Sequence, residues 1–269
     1  ELLAHDCVLL RCHGLDTLAT LRINDSIVGF ADNMHRLWEF DVKPFLLPGV
    51  NFLEVSFAAP MPYLRQMEAE KGALYAWGVG DNRLNSGAWL RKEAANFGWD
   101  WGPRTVTSGI WRAIELVAFD SARLDDVRIL QDHSTPGQVA LTVEGAVEQI
   151  SAAPLDVEIT ITFEGGEVAR ATAAVADGRF SAALTVEQPQ LWWTNGLGAQ
   201  PLYTVSVRLQ AAGRELDAQD KRIGLRTLTL ERHADEWGES FQFVINGVPF
   251  FAKGANWIPG DPFLARMGH

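Results

Sequence analysis

The chain has 269 residues, 47% apolar and 21% charged, with a net charge of −11 at neutral pH. Such a composition describes a globular protein with ample core. It excludes the basic footprint that nucleic-acid binding needs, disfavours attraction to anionic lipid, and contains no apolar run long enough to span a membrane.

In chain order, "ELLAHDCVLLRCHG" already alternates like a strand in progress from Glu1, so a piece of a longer polypeptide is expected and a missing leader decides nothing. Cys7 and Cys12 are five apart and face opposite sides of one strand, too far round to bridge each other. With His5 and His13 they hint at zinc, but four side chains spread along a strand do not converge on one tetrahedral point. Buried thiols are the expectation, no metal is, and such thiols lean towards a reducing, cytoplasmic compartment. "LATLRINDSIVGF" reads as two strands around an Asn24-Asp25 hairpin turn. Asn24-Asp25-Ser26 also fits a glycosylation sequon, although the turn already accounts for it. "LWEFDV" follows, then "LPGVNFLEVSFAA", a Pro-Gly turn and a strand with Leu53, Val55 and Phe57 on one face.

Between residues 60 and 96 the alternation breaks. "PYLRQMEAEKGALY" has room for a short helix, Gly78-Val79-Gly80 is an ordinary loop, and five of the ten tryptophans fall between Trp77 and Trp111. A stretch this long without regular structure in a compact domain is usually functional. "IWRAIELVAF" is the next strand. The pattern restarts at 118–130, and "QVALTVEG", "LDVEITITFEGG", "RFSAALTVE", "LYTVSVRLQ" and "KRIGLRTLTL" recur between turns rich in Gly, Asp and Pro. About seven strands in roughly 110 residues predict an immunoglobulin-like sandwich. Last, Phe241, Phe243 and Ile245 alternate, Asn246-Gly247 turns, and "VPFFAKGANW" runs on as an apolar strand.

The chain carries no phosphate-cradling loop, zinc-protease motif or nucleophile elbow, and no cofactor is expected. The segment that asks for a function is "FGWDWGP", residues 97–103. Either Trp99 and Trp101 face a core from a strand with Asp100 outside, or the segment is a binding loop. In the second case the indoles pack on an apolar ligand face and the Asp100 carboxylate accepts hydrogen bonds from hydroxyls. A pyranose offers both. Glycosidic cleavage needs two carboxyl groups flanking the bond, and no such pair can be nominated in this chain.

"FGWDWGPRTVTSGIWRAIEL", "LWWTNGLGAQPLYTVSVRL", "RIGLRTLTL" and "INGVPFFAKGANWIPGDPF" resemble the β-mannosidases of glycoside hydrolase family 2, and "WDWGP" and "KGANWIP" point to that branch. The resemblance implies an all-β chain: a galactose-binding-like jelly roll over 1–118, an immunoglobulin-like sandwich over 119–232, and over 233–269 the opening segment of a (β/α)₈ barrel. It implies retaining hydrolysis by two barrel glutamates, one preceded by Asn. No Asn-Glu dipeptide occurs, so both lie beyond His269 and the chain alone is expected to be inactive, its partner being the barrel of the same polypeptide. The residues carried over as substrate-binding are Trp99, Asp100 and Trp101, with Asn256 and Trp257 at the end of the first barrel strand. Trp192 and Trp193 read as packing residues. Thr194 and Pro262 depart from the family pattern. A free-standing carbohydrate-binding protein, or a sibling hydrolase acting on galactosides, glucuronides or glucosaminides, are the alternatives.

Overall fold

The computed structural model describes residues 1–74, 84–99, 101–258 and 260–267. They form two compact units, one of residues 1–118 with 256–269 and the other of residues 119–255.

The first unit is a jelly-roll sandwich. One antiparallel sheet orders Trp38–Asp41, Cys7–Cys12 and Ile114–Phe119; the other orders Ser26–Ala31, Leu18–Ile23 and Leu53–Ala58. Leu18–Ile23 shows the half-buried alternation of a strand with one face on a core. Leu21 and Ile23 meet Val8, Leu10 and Cys12 of the opposite sheet there. The hairpin at Asn24-Asp25 has φ of +47° and +68°, the left-handed pair that matches strand twist in a two-residue turn. Asn24 is further held by its amide, which donates to Phe45 O (2.9 Å) and to Asn51 Oδ1 (2.7 Å) and accepts from Phe52 N (3.0 Å).

The expected helix is Pro60–Lys71, with proline in its first turn, where the missing N–H costs nothing, and Gly72 at φ +86° ending it. Its Leu64 packs with Leu90 and Phe97 in a small core of their own. The strand expected through "IWRAIELVAF" is broken. Gly109–Ile110 pairs with Leu15–Asp16, and the chain re-enters a sheet only at Ile114.

The second unit is the expected seven-strand sandwich. Arg179–Glu187, Gln138–Gln149 and Ala122–Asp132 form one sheet; Gly166–Ala174, Asp156–Phe163, Tyr203–Ala211 and Arg214–Ile223 form the other. Inward-facing Leu141, Val143 and Leu184 meet Ile159, Val207 and Leu209 in the core between them. Trp192 and Trp193 are half-buried packing residues: the Trp192 ring lies against Gly224, where an added Cβ would sit 2.7 Å from it, and beneath the Arg226 guanidinium at 4.6 Å. Beyond the sandwich, Leu228–Glu231, Gln242–Ile245 and Val248–Phe250 make a three-stranded sheet turned at Asn246-Gly247.

The apolar strand expected to run on through Trp257 stops at Phe250. Residues 251–258 belong to no strand, and Phe251 and Trp257 are 83% and 78% exposed. A strand of a parallel barrel is held by neighbours on both sides, and among the described residues nothing pairs with this one. Asn256 and Trp257 are exposed in this segment.

Candidate functional site

The "FGWDWGP" segment is built on a one-turn helix, Ala94–Phe97. Glu93 caps it by accepting a hydrogen bond from Ala95 N at 3.3 Å, and Gly98 at φ +101° takes the chain out of it. Phe97 anchors the turn in the small core with Leu64 and Leu90. Trp99 and Gly102 then exchange both backbone hydrogen bonds, at 3.1 and 3.3 Å. The described residues of the segment close a turn, and among them no core-facing strand is formed. Trp99 and Trp101 are both half-buried. Asp100 lies outside the described residues.

Asn96, on the limb entering this turn, belongs to a polar cluster of buried Asp16, Lys92 and Asn96 with half-buried Thr107. The Lys92 ammonium donates to Asp16 Oδ1 and Oδ2 at 2.6 and 2.5 Å and to Thr107 Oγ1 at 3.1 Å. The single Thr107 hydroxyl proton faces two acceptors, Asp16 Oδ2 at 2.9 Å and the more distant Asn96 Oδ1 at 3.3 Å. Thr17 Oγ1 also bonds Asp16. Burial pulls the Lys92 ammonium below the ordinary lysine value, and the hydrogen bond and charge of Asp16 push back. Asn96 joins the cluster to the C-terminal segment: its amide donates to Pro262 O at 2.7 Å, and its own carbonyl accepts from Thr105 N at 3.0 Å. A cavity of about 150 Å³ lies alongside, lined in part by Asp16, Asn96, Thr107, Trp111 and Phe263. The site therefore offers aromatic surface on a braced turn.

Among the described residues, no three His, Cys, Asp or Glu side chains are placed to hold one metal ion. In the "HDCVLLRCH" stretch, His13 instead faces Glu115 at 2.8 Å, and Cys7 and Cys12 are buried thiols.

Residues 1–112 match the glycosyl hydrolase 2 galactose-binding domain-like family, and residues 122–226 match glycosyl hydrolases family 2. The chain belongs to glycoside hydrolase family 2. Among curated family 2 relatives, "Beta-mannosidase B" of Aspergillus flavus is 35% identical over 98% of this chain and 31% of its own length. The protein of the same name from Aspergillus niger is also 35% identical, with the same coverage of 98% and 31%. The crystal structure of the β-D-mannosidase from Dictyoglomus thermophilum superposes with a TM-score of 0.89 at 36% identity, over 99% of this chain and 33% of that one. The Amycolatopsis orientalis exo-chitosanase shares the fold, with a TM-score of 0.67 at 20% identity over 97% of this chain and 28% of that one. The chain spans about a third of the length of the β-mannosidases it matches.

Of the five expected site residues, the family 2 fold brings Trp99 and Trp101 together on the braced turn. Asn256 and Trp257 are exposed in a segment whose continuation, through Pro262, returns to Asn96. Asp16, Lys92, Asn96 and Thr107 were not expected. Their signal in the sequence is slight: one Asp-Thr pair inside the apolar run "GLDTLATL", and a lysine just ahead of the aromatic motif.

Proposed function

We propose that this chain is the non-catalytic, substrate-binding part of a retaining β-mannosidase, which removes terminal β-mannose residues. Trp99 and Trp101 supply apolar surface to the terminal sugar, Asp100 binds its hydroxyls, and Asn256 and Trp257 contribute from the segment leading into a barrel. The two glutamates that perform the double displacement belong to that barrel, elsewhere in the same polypeptide, and the chain by itself is inactive. The observation that carries this reading is identity of 35–36% to β-mannosidases across nearly the whole chain.

The test is side-by-side hydrolysis of aryl β-mannoside, β-galactoside, β-glucuronide and β-glucosaminide by the polypeptide carrying this chain with its barrel. Preference for the mannoside, with no turnover by residues 1–269 alone, is expected. Preference for another glycoside, or no hydrolysis with retained sugar binding, would replace the reading by a sibling hydrolase or a binding protein.

A further inference from the structure

The polar cluster connects the two limbs of the turn to a strand 76 residues away in sequence. Asp16 stands on the strand Leu15–Asp16 of the jelly roll, Lys92 and Asn96 on the limb entering the "WDW" turn, and Thr107 on the limb leaving it. Asn96 is 2% exposed, with Oδ1 3.3 Å from the Thr107 hydroxyl, Nδ2 donating to Pro262 O, its backbone carbonyl accepting from Thr105 N and its backbone N–H donating to Glu93 O. Its bond to Pro262 O ties the turn to the segment that follows Asn256 and Trp257. A buried side-chain amide must satisfy its donors and acceptors together, which fixes it in one orientation. Both limbs of the turn and the 262 segment are then held at fixed spacing.

We propose that Asn96 is a positioning residue. It clamps the turn closed by Trp99 and Gly102 to the Pro262 segment, the Asp16–Lys92–Thr107 group holds it in place, and so it fixes the base from which this turn meets the sugar. This rests on the substrate-binding reading above for its kinetic consequence, but the clamp itself does not. Asn96 touches no substrate; its effect passes through the turn.

Two readouts in the whole polypeptide test it. The first is hydrogen exchange in Asn96→Ala. The amides of Trp99, Gly102 and Thr105, bonded in the native turn, should exchange about tenfold faster, the scale of one lost net hydrogen bond, while those of the sandwich strand Asp156–Phe163 stay unchanged. The second is a double-mutant cycle on aryl β-mannoside. Asn96→Ala should lower kcat/KM about tenfold in the native background but less than twofold in an Asp100→Ala background, because a residue acting through Asp100 has nothing left to position. Thr107→Val, nearly isosteric, should reproduce the same pattern more weakly if Asn96→Ala folds poorly. Unchanged exchange in the turn, or an equal kinetic loss in both backgrounds, overturns the proposal. Absence of mannoside turnover in the native polypeptide would instead overturn the function proposed above, and the exchange readout would still decide the clamp.

Discussion

Lys92 Nζ sits 2.6 and 2.5 Å from the two carboxylate oxygens of Asp16, across 76 residues of sequence, with the lysine side chain wholly enclosed and the aspartate nearly so. A buried ion pair of this kind need not add net stability, but removing one member leaves the other charge desolvated and unpaired. Lys92→Met should therefore cost about 3–5 kcal/mol, read from the urea midpoint. Asp16→Asn combined with Lys92→Met, neutral at both positions, should recover part of that loss. A midpoint unchanged in Lys92→Met would mean that the pair is solvated.

Asn24 gives a second check. Its left-handed backbone and three amide hydrogen bonds join the hairpin to the loop that leads into Leu53–Ala58. Asn24→Ala should cost about 2–4 kcal/mol, combining lost hydrogen bonds with the left-handed penalty. Asp25→Gly, at φ +68°, should change stability by less than about 1 kcal/mol, since glycine adopts that conformation freely. Similar losses in the two variants would remove the role given to the Asn24 amide.

Burial pushes the Cys12 thiol from an ordinary 9.0 up to about 11. The native state then holds this proton more tightly than the unfolded state. The associated stability is complete below pH 9.0 and is lost as pH rises towards about 11. Native protein should leave Cys12 unalkylated by iodoacetamide at a pH of about 8, where urea-unfolded protein is labelled fully. Rapid native labelling at Cys12 would contradict its burial.

Much of the fold is legible because its signals are local. The Asn24-Asp25 and Asn246-Gly247 turns need left-handed residues and have them, and Arg179–Glu187 alternates strictly between buried and exposed. The strand Gly166–Ala174 announces itself poorly, since four of its nine residues are alanines whose small side chains make the apolar period faint. The strand expected through Ile110–Phe119 is broken because Trp111 turns away: its backbone N–H bonds Gly14 O at 3.1 Å and its indole donates to Met34 O at 3.1 Å. At the site, the aromatic motif is visible from composition alone, but what braces it is not. Asp16 meets Lys92, and Asn96 meets Pro262, only once the chain has folded. Pairings 76 and 166 residues apart leave no period or spacing to read.

The central claim is that the "WDW" turn holds substrate through Asp100. The measurement that tests it is kcat/KM on an aryl β-mannoside for Asp100→Ala in the polypeptide carrying the barrel, taken with its urea midpoint. A carboxylate that binds sugar hydroxyls makes charge-assisted hydrogen bonds of about 1.5–3 kcal/mol. Losing them from the transition state lowers kcat/KM roughly ten- to a hundredfold, with the midpoint nearly unmoved. Native kinetics in Asp100→Ala would contradict the account, and the two tryptophans would then be packing residues alone.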